Sequence, residues 1–316
     1  MTLTGSPRFL MCPPRHFAVT YSINPWMNPE EWTKQASALS RAAEVEWRSL
    51  KSLLEQRGAV VDLMIPILGL PDLVFTANAA VVVDGKALLA RFRHRERQRE
   101  EPHFAAAFES LVERNILKSC VALPAGVVLE GAGDCIWDPH RELFWMGFGP
   151  RSSRQAAPIV EATFAAETVS LELVDPRFYH LDTGFSVLAD GDIMYFKRAL
   201  SPNSLRALHD HVNAGDRIEV DEDDACNMSL NGIRIGRTLI LSGCSPKLRN
   251  QLADRGYSVS VTSLSSFLRS GGSAYCLTLR TDLTSDSRSP SSQFKPALNG
   301  QGHADEPGGR AHKSAH

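Results

Sequence analysis

The sequence predicts an α/β fold of five repeated strand–hairpin–helix units closed into a ring, and three observations carry that prediction. First, a polar residue followed by an apolar strand, a tight turn and a second apolar strand recurs from Asn78, Asp134, Asp182 and Asn227, and Cys276 opens the last, shortest member. Second, these residues stand 56, 48, 45 and 49 positions apart, and a period near fifty marks repeated supersecondary units. Third, helical patterns fill the intervals between the hairpins. Such units cannot bury their apolar faces alone, so neighbours must share cores, and a ring is the natural arrangement. In a ring, Asn78, Asp134, Asp182, Asn227 and Cys276 converge on one axis, which makes them a candidate site on periodicity alone.

The elements follow in order. Phe9-Leu10-Met11-Cys12 is short and apolar, and Pro13-Pro14 ends it as a strand. The stretch from Tyr21 to Pro29, which includes Ile23-Asn24-Pro25-Trp26, is too rich in proline and aromatics for a helix or an inner strand. It reads as a loop that either covers a concave face or packs on the surface. Over 29–56, Trp32, Ala36, Leu39, Ala43, Trp47, Leu50 and Leu54 recur at three and four residues, and Gly58 closes the helix. Asp84-Gly85, Asp138-Pro139, Asp190-Gly191 and Asn231-Gly232 read as hairpin turns, and Asp84, Asp190 and Asn231 as turn residues only. Helices are expected over 101–117, 154–166, 201–212 and 246–255, with extended runs at 59–64 and 258–261 behind them. A glycine-flexed loop at 271–276 leads into a last strand that holds Cys276 on a rigid element.

Composition narrows the function. The chain has 316 residues, no run of ~18 apolar residues, and a formal net charge of -2 that gives no electrostatic case for nucleic acid or a membrane surface. Neither a membrane span nor a nucleic-acid partner is expected; an oligomer is not excluded. Six scattered cysteines without a C-x-x-C pair, and no leader pattern at the start, predict free thiols and a cytoplasmic setting. From about residue 282 the composition turns to Ser, Pro, Gly and His. This predicts a catalytic domain over 1–281 and a disordered tail over 282–316.

Three stretches besides the cysteine could carry chemistry: PDLVFTAN (71–78), LEGAGD (129–134) and FYHLDT (178–183). Asp72 could cap a turn or serve the site. Glu130 and Asp134 bracket a glycine-rich turn that brings both carboxylates to one rim, and His180 and Asp182, two apart on a strand, share a face. The run 221–224 (DEDD) reads as a solvated loop. His209 and His211 diverge on their helix, and with no ligand-spaced cluster elsewhere, neither metal nor cofactor is expected. A thiol, an imidazole and several carboxylates together suggest cysteine nucleophilic catalysis on a cationic substrate. A free thiol has a pKa of roughly 8.5, so a bound guanidinium, paired bidentately with carboxylates, would favour the thiolate. His180 would then protonate the leaving amine and activate water.

The motifs FTAN (75–78), EGAGD (130–134), HLDT (180–183) and GGSAYC (271–276) occur in an order and spacing that resemble the guanidino-group modifying enzymes. Those are the dimethylargininases, arginine deiminases and amidinotransferases. The resemblance implies a five-bladed α/β propeller, the pentein fold, with its site on the pseudo-fivefold axis. It implies that Cys276 is the nucleophile, His180 the general acid/base and Glu130 the carboxylate supporting it. It further implies that Asp182 is the second carboxylate of a His-x-Asp pair and that Arg97 and Arg151 hold the substrate's α-carboxylate; Asp72, Asp134 and Asp182 are the candidate substrate-binding carboxylates. Asn78 stands where the family usually has a carboxylate. With Asn24 and the opening FLMCPP (9–14), it resembles the arginine dihydrolases, which yield ornithine, carbon dioxide and two ammonia molecules. The expected partner is a small guanidino substrate, arginine or a methylarginine. The alternatives are a dimethylargininase, an amidinotransferase or a catalytically silent arginine-binding protein.

Overall fold

A computed structural model describes residues 5–285, so the tail expected over 282–316 lies almost wholly outside the described residues. Five three-stranded sheets make up the α/β fold. Four of them share one plan: an antiparallel hairpin whose second strand takes a parallel third strand returning from a helix. The first pairs Ala80–Val83 with Lys86–Leu89 and adds Ser119–Val121 after helix Glu101–Glu113. The second joins Cys135–Asp138, Leu143–Phe148 and Glu167–Glu172 across helix Ala157–Phe164. The third joins Phe185–Val187, Ile193–Tyr195 and Arg217–Glu219 across helix Pro202–His211. The fourth joins Ile233–Ile235, Thr238–Leu241 and Ser258–Val261 across helix Pro246–Asp254. A helical crossover is what a parallel pair requires.

The fifth sheet is stitched from both ends of the chain. Leu279–Arg280 lies antiparallel to Arg8–Met11, which lies parallel to Val60–Leu63 across helix Ala36–Gln56. The units share cores: Leu143, Trp145 and Leu171 of the second pack with Phe185, Ile193 and Tyr195 of the third. Fully burying aliphatic and aromatic side chains of this kind stabilises a fold by about 1.5–3 kcal/mol each.

Several expectations need correction. The helix expected over 29–56 is two, Pro29–Lys34 and Ala36–Gln56, broken at Gln35, whose φ/ψ of −132°/19° is not helical. Asn231-Gly232 is not a hairpin turn: the fourth hairpin turns between Ile235 and Thr238, where Gly236 has a φ of 58°, and 228–230 is not a strand. Cys276 precedes the last strand in a turn instead of lying on it. His180 and Asp182 do not alternate on a strand, because Leu181–Gly184 is one helical turn with His180 at its start. The run 221–224 is not a solvated loop. Asp221 caps helix Glu222–Cys226, and Asp224 is buried, accepting from Ser229 Oγ and from Ser245 N and Oγ.

Candidate active site

The residues immediately before the first strand of each unit converge. They are Asn78 in the turn Thr76–Ala79, Asp134 after the turn Gly131–Gly133, Asp182 in Leu181–Gly184, Asn231 before Ile233–Ile235 and Cys276 before Leu279–Arg280. Asn227, expected in the fourth place, is exposed and does not line the cavity described below. Asn231 stands there instead, fully buried, and it is the principal residue the sequence reading missed.

Around the thiol, Cys276 Sγ donates to Asp182 Oδ2 at 3.2 Å and accepts from Asn231 Nδ2 at 3.1 Å. Asn231 Oδ1 accepts from the backbone N of Ser273 at 3.0 Å and of Cys276 at 3.2 Å, so one amide fixes both the loop and the thiol. Burial and the adjacent Asp182 carboxylate push the Cys276 thiol well above its ordinary range. Burial likewise pushes Asp182 up to about 7, against the bonds from Cys276 and Asn231. Its Oδ1 is buried and has no hydrogen-bond partner among the described residues.

Opposite the thiol lies a saturated network. His180 Nε2 donates to Glu130 Oε2 at 2.7 Å, and Arg151 Nη1 donates to the same oxygen at 3.0 Å. Glu130 Oε1 accepts from the Arg93 backbone N at 3.1 Å. Burial acts to raise Glu130, but Arg151 and His180 outweigh it and hold the carboxyl well below the usual range. Asp134 accepts from Ser152 Oγ at 2.6 Å and Leu181 N at 3.0 Å; burial pushes it up to about 6. The glycines of 131–133 are sterically required. A Cβ on Gly131, whose φ is 61°, would come within 2.6 Å of the Asn78 backbone carbonyl carbon, and one on Gly133 would overlap Asn78 Nδ2.

A small cavity is lined by Asn24, Asp72, Asn78, Arg97, Arg151 and Cys276, together with Tyr179 and Ser270. Glu130, Asp134, His180 and Asp182 are buried beside it, each with 0–1% exposure. Apart from Asn227, the expected site residues are in this neighbourhood, though not each in the expected posture. Arg97 commits all but one of its five N–H hydrogens to Glu100, Asn78 and Asp72 O, so it cannot offer a fork to a carboxylate. Arg151 donates to Ile23 O in the covering loop and lies 4.5 Å from the Tyr179 ring centroid. Asn24 holds that loop, accepting from Trp26 N at 2.9 Å and donating to Ser270 O at 3.0 Å. Asp72 is no turn cap alone: its side chain accepts from Tyr21 Oη at 2.8 Å and Ser270 Oγ at 3.3 Å.

A larger cavity opens among the first strands of the sheets, with walls such as Val83, Trp137, Phe185 and Ile233. Of the expected site residues only Asp182 reaches it. The other expected site residues line or adjoin the smaller cavity. Among the described residues no cluster of three or more His, Cys, Asp or Glu could hold a metal ion, and no helix is long and apolar enough to cross a membrane.

Comparisons place this geometry among known proteins. A family profile described as N,N dimethylarginine dimethylhydrolase, eukaryotic, matches residues 14–282. The bifunctional arginine dihydrolase/ornithine cyclodeaminase ArgZ of Synechocystis sp. is 41% identical over 273 residues, which span 86% of this chain but only 37% of ArgZ. The N(G),N(G)-dimethylarginine dimethylaminohydrolase of Mycobacterium tuberculosis is 36% identical over 274 residues, 86% of this chain and 85% of that protein. A crystal structure of the ArgZ N-terminal domain, an asparagine-to-serine variant covalently bonded to a reaction intermediate, superposes with a TM-score of 0.82. It shares 38% identity over 88% of this chain and 99% of that one.

Proposed function

Because the chain belongs to the N,N-dimethylarginine dimethylhydrolase family, we propose that it hydrolyses arginine at the guanidino carbon by covalent catalysis, carrying the reaction through to ornithine. The observation that carries this reading is the pairing, around one buried cavity, of an uncharged thiol held by Asp182 with a His180–Glu130 couple. The reading includes closure of the five sheets into a propeller, with the site on its axis.

In this reading Arg151 takes the substrate α-carboxylate once it leaves Ile23 O, and Asp72 faces the α-ammonium. The guanidinium carbon stands against Cys276. Its positive charge is what this site lacks: Asp182 has one free oxygen, and the thiol ionises only when a cation is near. As Sγ bonds to carbon, its proton passes to Asp182 Oδ2. His180, entering the step as the imidazolium held by Glu130, protonates the departing nitrogen, which leaves as ammonia, and an amidino-thioether remains. The now neutral His180 takes a proton from the attacking water; as the C–S bond breaks, Asp182 returns its proton to Sγ and citrulline forms, with both groups restored for a second round. A second attack expels a second ammonia, and the carbamic acid left on the side-chain nitrogen loses carbon dioxide.

The family profile favours a second reading, in which methylated arginine yields citrulline and dimethylamine. Mass spectrometry of products from arginine and dimethylarginine separates the two. Ornithine with two equivalents of ammonia is expected, and a reaction that stops at citrulline ends the dihydrolase reading. Alkylation by a haloacetamidine should label Cys276 and be blocked by arginine; an inert Cys276 ends both.

A further inference from the structure

One fully buried charged residue beside the cavity has no part in the steps above. Glu100 has 0% exposure and sits between helix Arg95–Gln98 and helix Glu101–Glu113. Its carboxylate receives Arg97 Nη2 at 2.8 Å and Arg97 Nε at 3.1 Å, a two-pronged grip that fixes the plane of the guanidinium. In that plane Arg97 Nη1 reaches the Asn78 side chain at 2.8 Å. Arginine has no acceptor, so the atom it meets must be Asn78 Oδ1. The Asn78 NH2 is thereby turned the other way, 3.4 Å from Glu130 O and 3.5 Å from His180 Nδ1. That orientation suits the neutral imidazole left after His180 has given up its proton, in which Nε2 donates to Glu130 and Nδ1 is an acceptor.

We propose that Glu100 is a positioning residue that sets the hydrogen-bonding polarity of the site wall, holding Asn78 through Arg97 so that a donor faces the reaction centre. This rests on the dihydrolase reading and names a residue that decides its second step. A guanidinium carries hydrogens on all its nitrogens and has no use for the amide NH2. The ureido group of citrulline has a carbonyl oxygen, which an NH2 can hold in place for a second attack. With the Glu100 grip lost, Arg97 can swing and Asn78 can turn its oxygen inward. Guanidinium binding then survives, while citrulline loses its anchor and escapes.

The test measures the citrulline-to-ornithine ratio from arginine, by mass spectrometry, in the wild type, Glu100→Gln and Glu100→Asp. Glu100→Gln should raise the ratio about tenfold, with ornithine formation falling far more than arginine consumption. Glu100→Asp keeps the charge that neutralises buried Arg97, so it should fold, and its shorter arm should give a smaller shift in the same direction. Circular dichroism reports folding, and should Glu100→Gln not fold, the Asp variant decides. Equal losses in both steps with an unchanged ratio overturn the role of Glu100. A wild type that makes no ornithine overturns the dihydrolase reading instead, and the two failures are distinct.

Discussion

The two sides of the cavity are built to opposite electrostatic rules. On one side Glu130 is buried with its counter-charge already supplied: Arg151 and His180 both donate to Oε2, and the carboxyl is held in its ionised form. On the other side Asp182 is equally buried but faces a thiol and an amide, has one free oxygen, and is pushed up to about 7. The difference lies in the source of the cation. The fold provides it for Glu130, whereas a guanidinium substrate would provide it for Asp182. One side is therefore preorganised, and the other is left under-compensated until it is filled.

Variants on the two sides should therefore behave differently, and the largest effect falls on the thiol. Cys276→Ser should lower turnover of arginine by at least about 10⁴-fold in a product assay, with little change in melting temperature. Appreciable residual turnover would remove the nucleophile from the comparison. Next comes Glu130→Gln, which leaves Arg151 as a buried charge without its partner. A loss of about 3–5 kcal/mol is expected in denaturant unfolding, alongside lost activity. A neutral outcome would mean that the saturated side is not saturated.

Gly133→Ala is of intermediate size. Its methyl would strike Asn78 Nδ2, so about 1–3 kcal/mol of overpacking and a displaced Asn78 are expected, read as a lower melting temperature and a higher citrulline fraction. The smallest effect has the opposite sign. Asp182→Asn should abolish activity yet raise the melting temperature at pH 8 by a few degrees, since about 1 kcal/mol moves a domain of this size by that amount.

The sign follows from linkage. The pKa of folded Asp182 is raised to about 7 from an ordinary 3.8, so the native state binds more protons than the unfolded one between those values. Its contribution to stability is full below about pH 3.8 and is lost as pH rises through about 7. The Asp182→Asn advantage should thus be small at pH 5 and grow toward pH 8. Glu130, depressed in the fold, contributes above its unfolded pKa and loses that contribution as pH falls through the folded value. A thermal scan of wild type and both variants across pH should show these opposite trends; parallel trends would refute the contrast.

What the sequence determined by itself is the part governed by short-range rules. Asp84-Gly85 and Asp190-Gly191 turn hairpins because both residues in each pair take positive φ, at 55° and 73° and at 54° and 91°. The helices over 101–113, 202–211 and 246–254 follow from a period set by the α-helix itself. The expected site residues were legible as types in order, since chemistry placed before each strand recurs with the repeat.

Tertiary structure alone decided the rest. Asn231-Gly232 carries a strong local turn signal, yet packing placed Asn231 beneath Cys276 and gave the turn to Gly236. Spacing could not have chosen between Asn227 and Asn231, because exchanging them only swaps intervals of 45 and 49 residues. The pairing of Leu279–Arg280 with Arg8–Met11 joins chain ends that no local pattern connects. The postures of Asn24, Asp72 and Arg97 likewise depend on partners such as Ser270, Tyr21 and Glu100, and except for Glu100 those partners are distant in the chain. Local sequence fixes backbone preference within a few residues. Which buried donor meets which acceptor is settled only when separate units close over one another and each polar group must find a partner away from water.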